Sequence, residues 1–335
     1  MKPTLWVRGA GLLACPLFIS LLAAQPKLLV NAKVDSRSAA SGLESTFKAA
    51  VAAQPQPAWI MYSVPSVKVF MGCDYVRDGW NQPGVIHLEP PDHAVVLFRI
   101  DNGAIERIRT LSPDCEIDAG NLPVHWLNDV KPAESVAMLN GLAAQRDRFQ
   151  DGALNAIAMH SDPAAEAVLM KYLAADQPES IRLRVVSWFS SSRRPNGLNV
   201  LKNLIANDPN ERVRERAIST LGGSKEPEAT SLLINYAEKD TNAKVRASAT
   251  SALNHHSGAN VVTALKTVLE NDPDVNVRRR AINSLQQMPD GEGIPTLIQT
   301  AKTTKDNEVR KQCINSLGQS RDGRALAFFE EVLKK

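Results

Sequence analysis

The dipeptide valine-arginine returns at a fixed interval: Val213-Arg214, Val245-Arg246, Val277-Arg278 and Val309-Arg310, each 32 residues after the last. Ile181-Arg182 fills the slot one step earlier, and Phe149-Gln150 fills it imperfectly before that. Other columns keep the beat. A small or apolar residue stands at Ala153, Val185, Ala217, Ala249, Ala281 and Cys313, a larger one at Ile157, Phe189, Leu221, Leu253, Leu285 and Leu317. A third column runs Leu169, Leu201, Leu233, Leu265, Leu297 and Phe329. Within a copy, Val277, Ala281 and Leu285 are four apart, which puts them on one face of a helix. A Gly- or Pro-bearing break follows, as at Gly222-Gly223 or Pro289-Asp290-Gly291, and then a second apolar helix such as Ile294 to Ala301. Pro227 and Pro295 fall near the start of second helices, where a missing N–H costs little. Asp208-Pro209 and Asp272-Pro273 mark turns into the next copy. A helix pair this short cannot bury its apolar face alone, so the copies must stack as an array.

These columns resemble HEAT repeats, in particular the short bacterial HEAT-like kind also found in phycobilisome lyases. The resemblance covers residues 143–335 and rests on a D-x5-R spacing: Asp176 with Arg182, Asp208 with Arg214, Asp240 with Arg246, Asp272 with Arg278. It implies a mainly α fold, a right-handed α-solenoid of about six 32-residue helix pairs. It also implies that these residues form a structural ladder of hydrogen bonds between repeats rather than an anion-binding stripe. Arg310 keeps the arginine while Thr304 replaces the aspartate, and Gln150 replaces the first arginine, departures expected of end copies. Cys313 stands in the alanine column and is expected to be a small buried core residue. The tandem His255-His256 is expected in a surface loop.

The rest of the chain has no such beat. Residues 9–24 are an uninterrupted apolar stretch after Lys2 and Arg8, which fits a secretory leader and is shorter than the roughly 20 residues of a membrane span. Cleavage could follow Ala24 or Ala32; Cys15 gives a loose lipoprotein box; without cleavage the stretch would anchor the chain. Residues 1–32 are therefore set apart as signal peptide or N-terminal anchor. Residues 33–142 are read as a small α+β, mostly β, module. A helix is expected from Leu43 to Ala53, strands over 58–65 and 66–71, and a hairpin over 94–111 turning at Asn102-Gly103. A connecting helix follows from Lys131. Cys73 and Cys115 both fall in this module and have no CxxC partner for a metal site. In an oxidising compartment they are a natural disulfide, contributing on the order of 3–4 kcal/mol by closing their loop.

The net charge of +3 and the absence of a basic cluster argue against nucleic acid. No HExxH, GxSxG, Walker loop or GxGxxG is present. Asp114, Glu116 and Asp118 could hold calcium, but alternation along a strand gives the same pattern. His87, His93 and His125 could gather as a metal or acid–base site. No cofactor is expected. The expected function is a non-catalytic protein-binding scaffold of the bacterial envelope or periplasm. Its partner would lie on the concave face of the array, on a surface including Glu238, Lys239, Lys266, Glu270, Gln299 and Lys302. The membrane would be touched only through an uncleaved N-terminus, and the chain is expected to be a monomer. The competing reading is an enzyme with its active site in 33–142 and the array recruiting substrate; a bilin-lyase-like activity is a weaker one, since fold alone does not carry function.

Overall fold

The structure, a computed structural model, describes residues 29–53, 57–69, 73, 90–190, 196–224 and 226–334. The apolar stretch at 9–24, the Cys15 box, the Ala24 site and His87 lie outside these residues. A short strand β1 (Leu29–Val30) pairs in parallel with β6 (Ile117–Asp118). Leu29 and Val30 thus lie on the leader side of the Ala32 site, and cleavage after Ala32 would take β1 away.

Among the described residues the main sheet has five strands: β2 (Lys33–Ser38), β3 (Ala58–Pro65), β4 (His93–Asp101), β5 (Ala104–Leu111) and β7 (Pro123–Asn128). Their order is β2-β7-β3-β4-β5, with β2, β7 and β3 parallel and the β3–β4–β5 meander antiparallel. The hairpin turns at Asn102 (φ 50°) and Gly103 (φ 70°), as the Asn-Gly pair requires, because a two-residue hairpin turn of this hand needs positive φ at both positions. The second strand expected over 66–71 does not form in the described part. The Ser66 and Val67 N–H groups go to Asp92 and Met159 carbonyls instead, and Ser66 makes a single bridge to His160.

Alternation along β3 and β4 divides the sheet into two buried faces. Met61, Val95, Leu97, Val124 and Trp126 pack under β1, β6 and the cystine on one side. Ile60, Tyr62, Val64, Val96, Phe98 and Ile100 face α1 (Leu43–Ala52), α2 (Pro132–Ala143) and α3 (Gln150–Met159) on the other. Buried on both faces, β3 and β4 read as apolar runs rather than as alternating strands.

Among the described residues the chain from α3 on is mainly helical, in six consecutive pairs. These are α3 with α4 (Pro163–Tyr172), α5 (Glu179–Val186) with α6 (Gly197–Asn207), and α7 (Glu211–Leu221) with α8 (Pro227–Lys239). They continue as α9 (Ala243–Ala252) with α10 (Ala259–Asn271), α11 (Val275–Gln287) with α12 (Ile294–Thr303), and α13 (Asn307–Gly318) with α14 (Gly323–Leu333). From α5 on, first helices stack on first helices, and each second helix from α6 to α12 packs against the first helix of the next pair. Asn210, Asn242, Asp274 and Asp306 recur 32 residues apart as side-chain N-caps of α7, α9, α11 and α13.

Sheet and array share one core. α3 packs on β5 at Gly152, where a Cβ would stand 2.9 Å from the Ile108 carbonyl oxygen. No helix among the described residues is long and apolar enough to cross a membrane.

Candidate functional site

Two sets of charged residues run along the array, one buried and one exposed. The buried set is the arginine ladder; the D-x5-R partners meet at Asp208/Arg214, Asp240/Arg246 and Asp272/Arg278, but through the aspartate carbonyl rather than its carboxylate. Each arginine reaches the backbone of its own turn and, where it finds a carboxylate, takes it from the following pair. Arg246 donates through Nη1 to the Asp240 carbonyl (2.9 Å), and through Nε and Nη2 to the Asp272 carboxylate (2.7 and 3.1 Å). Arg182 bonds the Leu173 carbonyl (2.9 Å) and the Asp208 carboxylate, while Asp176 stays exposed and accepts a hydrogen bond from Gln177. Arg214, Arg278 and Arg310 bond the carbonyls of Asp208, Asp272 and Thr304. Arg278 lies 3.9 Å from the Asp306 carboxylate.

The reason lies in the turn. Asp208, Asp240 and Asp272 each use Oδ1 to accept the N–H two residues on, at 2.9, 2.8 and 2.8 Å. This Asx turn points the free oxygen away from the aspartate's own helix. Arg182, Arg246, Asp208 and Asp272 are buried, so the pairs are charge-assisted bonds in a low dielectric. The Asp272 bonds hold the Arg246 guanidinium protonated even above the usual arginine range.

A second ladder carries no arginine signature. Asn210 caps α7 through Oδ1 and donates through Nδ2 to Glu179 (2.7 Å); Asn242 repeats this with Glu211 (2.8 Å). Arg212 and Lys244 complete the two carboxylates. The hydrogen bond from Lys244, then that from Asn242, hold the Glu211 carboxyl below its usual range. The signal was present as Glu179/Glu211 and Asn210/Asn242 at the repeat interval.

The exposed set is the expected partner surface. Glu238, Lys239, Lys266, Glu270, Gln299 and Lys302 are all exposed on α8, α10 and α12. Glu238, Glu270 and Lys302 occupy one repeat position in three successive pairs. Lys266 lies 3.8 Å from Glu270; Lys302 bonds Glu331 at 2.7 Å and sits 5.7 Å from the Phe328 ring centre. Between α8 and α10 a cavity of about 220 Å³ is walled by Glu238, Asp240, Arg246 and Asp272, so the exposed row opens onto the ladder.

In the front module Cys73 and Cys115 form a disulfide. Asp114, Glu116 and Asp118 alternate outward around it and are exposed; Asp118 accepts from Gly120 N–H (2.8 Å) and Asn31 Nδ2 (3.2 Å). Among the described residues no group of three potential metal ligands converges. His93 is exposed against Asp92 beside Pro65, and His125 is buried beside Ile60, 3.3 Å from Asp35. The two are therefore on different strands and at opposite ends of β3.

Two buried polar groups escaped the sequence reading. His256 is not a surface residue: it is buried and bridges Thr230 Oγ1 (2.8 Å) and the Gly222 carbonyl (3.1 Å), while His255 is exposed. His160 caps α3 and contacts Ser135 Oγ (2.9 Å), which in turn contacts Tyr62 Oη (2.8 Å). Because the Ala156 carbonyl can only accept, His160 Nδ1 carries the proton there (2.7 Å). Burial raises the Tyr62 phenol above its usual range, so it stays a donor. This network pins α2 and α3 to the sheet and is closed to solvent.

Residues 166–254 and 262–335 match the family model for HEAT repeats. No curated protein matches the chain. Solved structures similar to it include human deoxyhypusine hydroxylase in complex with glycerol, at 15% identity, 60% of this chain, 90% of that chain and a TM-score of 0.31. Another is the complex of CpcE and CpcF of phycocyanin lyase from Nostoc sp., at 22% identity, 46% of this chain, 99% of that chain and a TM-score of 0.35. With the repeated helix pairs, their common caps and the family match together, this chain is a HEAT-like repeat protein over residues 166–335.

Proposed function

We propose that this protein is a non-catalytic scaffold of the bacterial cell envelope or periplasm. It binds a protein partner on the concave side of a right-handed solenoid of six pairs. HEAT repeats commonly mediate protein–protein contact. The observation that carries the reading is the register of Glu238, Glu270 and Lys302: one position, three successive pairs, all exposed and of both signs. Such a row suits a polar protein surface better than a polyanion. Export is supported by the apolar stretch at 9–24 and by the cystine, which persists in oxidising compartments. Release or retention at the membrane then depends on cleavage, and Ala24 is the site that spares β1.

The test is capture from a native envelope extract with the full chain and with Glu238→Lys/Glu270→Lys/Lys302→Glu as baits. A protein held by the first and lost from the second supports the reading. Equal retention by both, or retention of nothing, removes the second-helix surface as the binding site.

A further inference from the structure

One first helix breaks the pattern of its outer face. At two successive positions α7, α11 and α13 carry Glu215-Arg216, Arg279-Arg280 and Lys311-Gln312, whereas α9 carries Ala247-Ser248. The second of these columns is cut back at one other place, Gly152 on α3, and there another element is seated: β5, whose Ile108 carbonyl oxygen lies 2.9 Å from where a Cβ would stand. Beside Ser248 a cavity of about 380 Å³ opens instead, between α7, α9 and α11. Its lining is polar and holds no carboxylate: Ser219 from α7, Ser248 and Ser251 from α9, Asn254 and His255 just beyond it, and Arg280 from α11. Arg280 is exposed and makes no ion pair among the described residues. At the same repeat position Arg184 pairs with Asp151 of the preceding first helix; the counterpart of Asp151 opposite Arg280 is Ala247. Arg216 also stands opposite an apolar residue, Leu183, but does not line the cavity. Glu215, one turn before Ser219, is absent from the lining and acts on Lys244. Ser219 donates its proton to the Glu215 carbonyl (3.0 Å), so Ser248 and Ser251 are the hydroxyls left to donate into the cavity.

We propose that this cavity binds the phosphate group of a small molecule, with Arg280 as its counter-charge and Ser248, Ser251 and His255 donating to its oxygens. A guanidinium beside hydroxyl and ring N–H donors, with no acid in the lining, is the chemistry of an oxyanion site. The donors stand on two helices and approach from different directions. A tetrahedral phosphate meets them with separate oxygens, whereas a planar carboxylate offers only two. The cavity, at about 380 Å³, falls in the range of roughly 300–1,000 Å³ usual for small-ligand sites. The shortened pair Ala247-Ser248 is what opens it: side chains the length of Glu215 and Arg216 would fill the space between α7 and α11. The site lies on first helices, away from the exposed row on α8, α10 and α12, and the two readings stand or fall independently.

The experiment is an NMR titration of the full chain with inorganic phosphate at fixed pH and ionic strength, following the His255 imidazole, assigned with His255→Ala. The expected result is a saturable shift with a Kd on the order of 1 mM or below. Arg280→Gln, which copies the residue at this position on α13, should weaken binding about tenfold or more. Ala247→Glu/Ser248→Arg, which copies the pair on α7, should refill the cavity and abolish binding. Both variants use residues that this helix column already carries, and circular dichroism verifies that each is folded. Arg216→Gln removes the same charge outside the cavity and should bind as wild type. The absence of a saturable shift up to about 20 mM phosphate overturns the proposal. So does binding indifferent to both cavity variants. Acetate bound as tightly as phosphate overturns the assignment of the ligand.

Discussion

Replacing Asp272 by alanine is the sharpest test of how the repeats are joined. One carboxylate oxygen takes Arg246 Nε at 2.7 Å, and the other takes Arg246 Nη2 at 3.1 Å and the Asp274 N–H at 2.8 Å. Both side chains are buried. Truncation leaves a guanidinium without its anion, which costs about 3–5 kcal/mol, and opens the Asx turn, which costs about 1 kcal/mol more. Asp240 provides the comparison within the same molecule. Its carboxylate closes the same turn onto Asn242 at 2.8 Å, but no arginine reaches it among the described residues. Asp240→Ala should therefore cost only about 1 kcal/mol. Urea unfolding followed by circular dichroism reads both, with the slope expected to stay constant. Removing both charges together, as Arg246→Met/Asp272→Leu, should recover most of the loss, because a buried pair barely exceeds an apolar pair of similar volume. If Asp272→Ala and Asp240→Ala fall within about 1 kcal/mol of each other, the cross-repeat carboxylate is not what holds the arginine, and the ladder reasoning fails.

Reduction of Cys73–Cys115, separated by 42 residues, should lower stability by about 4 kcal/mol, read as a melting shift in near-ultraviolet dichroism from Trp59 and Trp126. Gly152→Ala forces α3 away from Ile108 and should cost about 1–3 kcal/mol, with faster amide exchange in both α3 and β5. The Asp322 carboxyl, held down to about 2 by the hydrogen bond from Arg324, caps α14. Its folded value is depressed, so its contribution is complete above about pH 4 and is lost as pH falls toward 2; exchange in α14 should rise over that window. The Cys313 thiol, buried and pushed up to about 11 by desolvation, should resist thiol reagents in the native protein and react at once in denaturant.

The array was legible because its signal is periodic. Val277, Ala281 and Leu285 announce a helix, and their recurrence announces a stack. The hairpin was legible because Asn102-Gly103 permits few backbone conformations. The ladder was legible in its D-x5-R spacing: Arg246 does bond Asp240 and Arg278 does bond Asp272, but through the aspartate carbonyls, and the partner of the Asp272 carboxylate in the preceding pair was not legible. Spacing along a helix cannot show that an Asx turn aims the carboxylate at the neighbouring pair. Residues 66–71 read as a strand, yet the Ser66 and Val67 N–H groups were claimed by the distant Asp92 and Met159 carbonyls. His256 looked like a loop residue because nothing local indicates that Thr230 and Gly222 close over it. The exposed row on α8, α10 and α12 was visible as polar residues on second helices, and its shared register is what the repeat interval adds.

The reach of the ladder also sets which length changes this protein can absorb. Arg182 meets Asp208, and Arg246 meets Asp272, 26 positions further along; Asn242 meets Glu211 across 31. One residue gained or lost between such partners rotates a cap and breaks a rung at once. A segment of 32 added at a turn between pairs leaves every offset intact, because the new aspartate arrives where the old one stood. Growth and shrinkage of this chain should therefore come in whole helix pairs, because even the loop within a pair, such as Pro289-Asp290-Gly291, lies between Arg278 and Asp306 and is held to the same count.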